Sequence, residues 1–473
     1  MKRAVLLAAL ALALAGCKVG DDYRRPQLEA PARFELAQGE TQLQSRWWSV
    51  FQDPALDALV ERALASNLDL KLAASRLREA RAVITIAGGE ARPQADAGGS
   101  FARREASTEV AFGQFFPPAP NSFHSLGFRA SWELDVFGRV ARGVEAAAAE
   151  YDMVREDARA TLVMVCAEVA RNYVELRGFE QQLDVLRADL AVQIDTAGLV
   201  RSRVQGGLED ELALARIEGF IAQTRSQLPQ LERERAAREN ALATLLGEWP
   251  RELVELLARE RRPLTLPASV ATGLPAELLE RRPDVRRAER ELARACALSA
   301  QAEAELYPRL SLVGALGLES QRLDDLFQSG ARTWTLGPSV TTPLLRGGLL
   351  RAGIEVRSAQ EEQALLRYQR AALEALRDAE TTLAAWTRAN ERIGELEQAL
   401  VANRRAEELA RQRYASGLEN FLSVLDARRQ LLATESEHAT AELQRAAALV
   451  AVYRALGGGW EVEADAPALA RND

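Results

Sequence analysis

The stretch His124-Ser-Leu-Gly-Phe-Arg-Ala-Ser-Trp-Glu-Leu-Asp-Val136 alternates apolar side chains with small or polar ones from end to end. In an extended chain, one face would carry Leu126, Phe128, Trp132 and Leu134. A period of two predicts a β-strand, and about 9–11 residues suffice for a strand to cross a bilayer. The stretch is therefore predicted to be a membrane strand, with a soluble hairpin that buries one face as the alternative.

A second stretch of the same kind occurs later in the chain, where Trp334 and Leu336 alternate with Thr333 and Thr335. Each of these strands needs a neighbour, and segments that precede them are predicted to supply it. The sequence thus predicts two hairpins, at 94–137 and 309–345, with first strands at about 94–107 and 309–319 and polar connecting loops at about 108–122 and 320–332.

Long segments rich in Ala, Leu, Arg and Glu surround the hairpins. No proline occurs between Pro120 and Pro229 or between Pro343 and Pro467. Since an interior proline costs a helix about 3 kcal/mol, both segments permit very long helices. The segment 139–205 alone would extend on the order of 100 Å at 1.5 Å per residue. Helices are predicted at about 55–91, 139–205, 208–246, 276–305, 347–415 and 420–456.

The two halves of the chain repeat each other. Arg203-Val-Gln-Gly-Gly-Leu-Glu-Asp210 matches Arg413-Tyr-Ala-Ser-Gly-Leu-Glu-Asn420, and Glu90-Ala-Arg-Pro93 matches Glu305-Leu-Tyr-Pro308. Such self-similarity indicates one structural unit used twice. The predicted divisions are a signal peptide at 1–16, an N-terminal segment at 17–54, a first repeat at 55–275, a second repeat at 276–456 and a C-terminal segment at 457–473.

The beginning of the chain has the form of a lipoprotein signal. Lys2 and Arg3 precede an apolar run that is too short to span a membrane and that ends in Leu14-Ala-Gly-Cys17. We expect cleavage before Cys17, which would then carry an S-diacylglycerol group and an N-acyl chain, enough for stable membrane anchoring. The alternative is an ordinary secretory signal that happens to end near a cysteine.

Composition argues against several other classes of protein. The net charge of −8 does not suit a nucleic-acid partner. No catalytic motif, metal-ligand spacing or cofactor motif is visible, so we predict neither enzyme activity nor a metal site. Cys166 and Cys296 have no Cys or His close by and are predicted to be small buried helix residues.

Four membrane strands cannot close a barrel, because single-chain barrels use at least about eight. Open sheet edges are not tolerated in lipid. If these strands cross a membrane, several copies of the chain must share one barrel, and a trimer would supply twelve strands. A lipid-anchored coiled-coil scaffold, or tether, is the alternative that explains the helices and the anchor but not the hairpins.

Several segments resemble the outer membrane factor family of efflux channels (TolC/OprM-like), and in particular its lipoprotein branch. Ser131–Arg139 and Gly337–Pro343 resemble the junctions between strand and helix, Arg281–Val285 a helix start, and Val424–Asp426 a helix tip. The resemblance covers essentially the whole mature chain. It implies a mainly α fold with β: a long α-helical barrel and a membrane β-barrel shared by a homotrimer, four strands from each copy.

The same resemblance implies a function and partners. The protein would be a passive gated duct for small molecules in the outer membrane, with its helices in the periplasm. It would work with a periplasmic membrane-fusion adaptor and an inner-membrane transporter, for which the RND type is favoured over the ABC type. The expected cargo is drugs or toxic compounds.

The resemblance also assigns roles to particular residues. Asp426 would form the channel gate, and Ser423 stands where family members such as TolC carry a second aspartate. The tips that contact the adaptor would contain Gly207, Leu208, Glu209, Gly417, Leu418 and Glu419. Together with the alternation, the resemblance predicts that six strand residues face lipid: Leu126, Phe128, Trp132, Leu134, Trp334 and Leu336.

Overall fold

A computed structural model describes residues 18–28, 30–35, 45–105, 107, 121–250, 253, 257, 264–267, 269–270 and 272–461. Within these residues the protein is mostly helical and has one four-stranded sheet. The chain divides into two compact units. The described residues of the first unit lie within Met1–Gln27, Arg78–Val154 and Arg287–Tyr368, and those of the second lie within Leu28–Leu77, Arg155–Arg286 and Gln369–Asp473. The predicted signal peptide, Cys17, most of the loop at 108–122 and the last twelve residues lie outside the described residues.

The elements follow the same order in both halves of the chain: two helices, two strands, a very long helix and a shorter one. In the first half these are α1 (Pro54–Ser66), α2 (Leu68–Glu90), β1 (Gln94–Arg104), β2 (Asn121–Leu134), α3 (Arg139–Gln205) and α4 (Glu211–Leu246). In the second half they are α5 (Pro275–Arg281), α6 (Pro283–Ala304), β3 (Arg309–Ser320), β4 (Arg332–Thr341), α7 (Leu349–Ala415) and α8 (Phe421–Ala455).

The long helices match the predicted ones, and α3 and α7 have 67 residues each. Two predicted helices are wrong, because each is broken in two. The helix predicted at 55–91 breaks at Asn67, whose ψ of 134° is not helical and whose side chain accepts hydrogen bonds from the backbone N–H groups of Asp69 and Leu70. The helix predicted at 276–305 breaks at Arg282, since the proline that follows disfavours helical backbone there.

The sheet has the order β1-β2-β3-β4, and all neighbouring strands are antiparallel. Its register brings the apolar positions of the strands onto one face: Phe128 lies opposite Leu316, which in turn lies opposite Trp334. The predicted strands and their alternation are confirmed. β1 and β4 form the edges of the described sheet.

The other face of the sheet carries small and polar side chains. Ser100 and Ser125 share a hydrogen bond of 2.8 Å between their hydroxyl oxygens. Asp96 lies opposite Arg129 in the register, which puts opposite charges side by side. A depression on this face is bordered by Asp96, Arg129 and Thr335. The composition of the polar face therefore suits contact with water.

None of the helices in the described ranges combines the length and the apolar character needed to cross a membrane. The core of the second unit instead holds large aromatic side chains. Trp47 and Trp48 are almost completely buried, and Trp47 stacks on Tyr453 with 5.1 Å between ring centroids.

Candidate functional site

Each pair of long helices is joined by a tight turn, here called a tip: residues 206–210 join α3 to α4, and residues 416–420 join α7 to α8. Gly207 and Gly417 have φ angles of 69° and 71°, in the left-handed region that glycine tolerates best. In each tip, the N–H of the following leucine bonds a carbonyl of the preceding helix, Leu208 to Arg203 and Leu418 to Arg413. These are helix-ending glycine turns, and both of the predicted turn glycines are confirmed as such.

The two tips expose their leucines equally. Leu208 and Leu418 are each 72% exposed. An isolated exposed leucine is ordinary, but two at equivalent turns form a repeated apolar feature. Both leucines are therefore free, within one protomer, to contact a partner.

The glutamates of the tips are occupied within the protomer. The Tyr414 hydroxyl donates to Glu209 Oε2 over 2.7 Å, and the Arg203 guanidinium lies over the Tyr414 ring. Burial and the hydrogen bond to Glu209 raise the pKa of Tyr414 to about 12, so the phenol remains a donor. In the other tip, the Ser423 hydroxyl donates to Glu419 Oε2 over 2.8 Å. The structure thus presents the leucines at the tips, while both glutamates hold the turns together.

The two predicted gate residues lie in the first two turns of α8. Asn420 caps the helix by accepting a hydrogen bond from the backbone N–H of Ser423. Phe421 and Leu425 turn into the core, whereas Asp426 is exposed and makes no ion pair with a described residue. Ser423 and Asp426 are three positions apart, so they share one side of the helix.

Behind the tips, buried or partly buried polar side chains link the long helices. Gln193 on α3 donates to the Thr224 hydroxyl on α4 over 2.9 Å. Asn403 on α7 donates to the Thr434 hydroxyl on α8 over 2.8 Å. Sequence reasoning missed these bonds, although the signal was present: each residue of the second pair lies 210 positions after its counterpart in the first.

A buried ion pair adjoins these bonds. Arg428 Nη2 on α8 lies 2.6 Å from Oδ1 of Asp189 on α3, and Gln193 also donates to the carboxylate of Asp189. Arg428 Nη1 is 4.0 Å from Oε1 of Glu407 on α7. Burial raises the pKa of Asp189, although Arg428 and Gln193 oppose the rise. Sequence reasoning missed this pair as well.

The residues predicted to face lipid are brought together on the apolar face of the sheet. Phe128, Trp334 and Leu336 are all more than 60% exposed in one protomer. Trp132 is also exposed, but its indole N–H donates to the backbone carbonyl of Ala91, at the end of α2. An indole with an apolar body and a bonded N–H suits the boundary of a membrane.

The segment after Cys17 is fixed against the start of α3. The backbone N–H of Val19 donates to the carbonyl of Phe137, and Lys18 Nζ lies 2.6 Å from Glu145 Oε1. Arg142 donates to the carbonyl of Gly20 over 2.8 Å. Residue 18 is therefore held close to the end of β2.

The described residues contain no group of three or more His, Cys, Asp or Glu side chains that could hold a metal ion. Cys166 and Cys296 are free thiols and buried, as predicted. Burial raises the pKa of the Cys166 thiol to about 12, which makes it a poor nucleophile at neutral pH.

Comparison with known proteins identifies the family. The family model described as "Outer membrane efflux protein" matches residues 59–248 and 274–458. The chain belongs to the outer membrane efflux protein family, as the resemblance implied. It is accordingly an efflux channel protein of the outer membrane, and the scaffold interpretation is set aside.

Two curated relatives and one solved structure illustrate the similarity. The chain is 31% identical over 489 residues to the toluene efflux pump outer membrane protein TtgF of Pseudomonas putida, covering 100% of both. It is 33% identical to the pyoverdine export outer membrane protein OpmQ of Pseudomonas aeruginosa, covering 94% of both. The structure of the outer-membrane channel OprN matches with a TM-score of 0.88 and 33% identity, covering 94% of this chain and 100% of that one.

Proposed function

We propose that the protein is the outer-membrane duct of a tripartite efflux pump and that three copies form one gated channel without catalytic chemistry. The observation that carries the proposal is the four-stranded sheet, which is apolar on one face, polar on the other and open at both edges. Since lipid does not tolerate open edges, the strands must pair with those of other copies. Three copies would supply twelve strands, a size that membrane barrels use.

Two partners follow from this assignment. A periplasmic membrane-fusion adaptor would contact the tips through Leu208 and Leu418, and an inner-membrane transporter would supply energy. We favour an RND transporter over an ABC transporter, because the chain has the lipoprotein-type start of that branch. TtgF and OpmQ are named for toluene and pyoverdine respectively. Ligands so different suggest that the pump, rather than the duct, selects among small molecules.

We place the gate at the beginning of α8. In a symmetric trimer, three copies of Asp426 would lie around one axis, and their negative charges would repel one another and attract cations. Ser423 adds no charge to this ring. Its hydroxyl instead holds Glu419, which could supply a second carboxylate next to the constriction.

Asp426→Ala should lower the single-channel conductance for cations severalfold and reduce the preference for cations, because the substitution removes three charges that attract cations to the constriction. Conductance and reversal potential would be measured in planar bilayers under a salt gradient. Glu218→Gln is the matched control, since Glu218 is an exposed acid on α4. If Asp426→Ala conducts like the wild type, the gate lies elsewhere. If the wild-type protein itself does not insert into the bilayer as a channel, the proposed duct is contradicted.

We also propose that Cys17 carries the lipid anchor. The fixed position of Lys18 beside the start of α3 would hold that lipid close to the end of β2, where a membrane strand would leave the bilayer.

Cys17→Ser should abolish incorporation of radiolabelled palmitate into the protein, because serine cannot form the thioether. Cys166→Ser is the control and should label like wild type, since that thiol is buried in α3. Undiminished labelling of Cys17→Ser would exclude Cys17 as the acylated residue.

A further inference from the structure

We propose that the sheet binds a phosphorylated glycolipid of the outer leaflet at each seam, the place where β4 of one copy would meet β1 of the next. The phosphate would lie between Arg332 of one copy and Arg103 of its neighbour. The inference rests on the proposed function, because a seam exists only if several copies share one barrel.

The two ends of the sheet differ in what is attached to them. β1 and β3 each follow a helix, whereas β2 and β4 each lead into a long helix. Since neighbouring strands are antiparallel, all of these helices join the sheet at one end, and the loops between paired strands lie at the other. With the helices in the periplasm, as the proposed duct requires, the loop end of the sheet faces the cell exterior.

Both edge strands carry an aromatic residue followed by an arginine at this outer end. On the apolar face of β1 the last two residues are Phe101 and Arg103, and on the apolar face of β4 they are Trp334 and Arg332. Phe101 is 65% and Trp334 is 74% exposed in one protomer, and both arginines are exposed as well. The two edges therefore present the same pair of chemical groups at the same end.

The central strands carry no arginine on this part of the apolar face. β2 places Ser122 opposite Arg103 and His124 opposite Phe101, and the His124 ring packs against that of Phe101 with 4.9 Å between centroids. β3 ends on Ser320, opposite His124. The arginines of the apolar face thus lie on the two edge strands, which are the ones that pair when copies of the sheet close a barrel.

The distance along β2 places Arg103 at the outer boundary of the bilayer. Trp132, whose indole N–H bonds the end of α2, suits the inner boundary. At about 3.3 Å per residue and a strand tilt of about 40°, the segment from Trp132 to Ser122 rises about 25 Å. The apolar band of membrane barrels is also about 25 Å tall. Arg103, opposite Ser122, therefore lies at the depth of the lipid headgroups.

Neither arginine is neutralised within one protomer. Arg103 and Arg332 form no ion pair with a described residue. Arg322, in the loop after β3, instead has the carboxylates of Asp324 and Asp325 within 4.0 Å. A guanidinium group binds phosphate through two parallel hydrogen bonds, and basic side chains beside a membrane attract anionic headgroups. Two such groups at one seam are complementary in charge to a phosphate.

The aromatic residues favour a glycolipid over a phospholipid. Phe101 and Trp334 each lie two residues inward from an arginine on the same face, below the place where the phosphate would bind. A flat aromatic ring makes extensive dispersion contacts with the C–H face of a sugar ring, whereas a glycerol is too small to cover it. The pair of groups on each edge thus suits a phosphate attached to an acylated sugar.

Arg103→Gln combined with Arg332→Gln should lower the affinity for such a lipid about thirtyfold, since each arginine at a membrane surface contributes about fivefold. The full-length protein in mild detergent would be titrated with purified lipid A, a phosphorylated and acylated disaccharide. Native mass spectrometry would count the molecules bound. The wild-type trimer should bind up to three, one at each seam.

Arg104→Gln is the matched control, because Arg104 adjoins Arg103 in sequence but lies on the polar face, opposite Asn121. This variant should bind lipid A like the wild type. Arg103→Lys with Arg332→Lys keeps both charges and should lose much less affinity than the glutamine variant. Dephosphorylated lipid A and phosphatidylglycerol, which test the phosphate and the sugar separately, should both bind the wild type more weakly than lipid A.

Equal affinity of the wild type and the double glutamine variant would overturn the site, and so would an equal loss in Arg104→Gln. Equal binding of phosphatidylglycerol and lipid A would overturn the assignment to a glycolipid. If the protein is a conducting trimer that binds no lipid A, the duct stands and the lipid site is wrong. A monomer that does not conduct would overturn the seam together with the proposed function.

Discussion

Leu336→Arg is expected to prevent insertion of the protein into the outer membrane. Leu336 lies in the middle of β4, on the apolar face of the sheet, and is 67% exposed in one protomer. An arginine on the lipid face near the middle of the bilayer costs about 2–4 kcal/mol in a membrane barrel. A trimer would bear that cost three times, so little of the variant should reach the outer-membrane fraction, as measured by density fractionation and immunoblotting.

Thr335→Arg is the matched control for this prediction. Thr335 is the neighbouring residue, but it lies on the polar face beside the depression that Asp96 and Arg129 also border. An arginine there would meet water, so the variant should insert normally and change only the conductance. If both variants were absent from the outer-membrane fraction to the same extent, the strand would tolerate a bulky charge on neither face. Normal insertion of Leu336→Arg would contradict a lipid-facing role for this face.

Replacing both tip leucines, Leu208→Asp with Leu418→Asp, should abolish efflux while leaving an intact channel. Burying a leucine at a contact contributes about 1.5–3 kcal/mol. Loss of two such contacts from each protomer corresponds to well over tenfold in affinity for an adaptor. Accumulation of an exported dye in cells would measure efflux, and conductance in planar bilayers would show that the channel remains.

Asn420→Asp is the control for charge at the same tip. It keeps the oxygen that caps α8 and adds a negative charge next to Leu418, without removing an apolar contact. Efflux should therefore remain near the wild-type level. Loss of efflux in Asn420→Asp would show that charge, rather than the leucines, governs docking, whereas normal efflux in the double leucine variant would exclude the tips as the contact.

Much of the fold could be predicted because its signals are local. The alternation at 124–136 fixes which side chains share a face, and aligning these faces restricts the register of the four strands to every second pairing. The tips were equally predictable, since Gly207 and Gly417 each follow a long helix and only a glycine adopts their φ without strain. The helix breaks at Asn67 and Arg282 were harder to predict, because both residues lie within segments of helical composition. Pro283 marked the second break, but nothing as strong marked the first.

The polar contacts between helices could not be predicted in the same way. A helical period shows that a residue is on the apolar side, but not which neighbouring helix it meets. Asp189 looks like one more acid in a charged helix, and its partner Arg428 lies far away in the sequence. Only the packing of the helices brings the two within 2.6 Å. The gate at Asp426 and the lipid on Cys17 remain predictions, because their roles depend on a trimer and a membrane.

The number of copies in the assembled channel is the most direct test of the duct. Native mass spectrometry of the full-length protein, extracted from outer membranes in mild detergent, would count them. Three copies are predicted, because four strands from each would close a twelve-stranded barrel without open edges. A monomer under conditions that preserve other membrane oligomers would contradict the shared barrel, and with it the assignment of this sheet to the membrane.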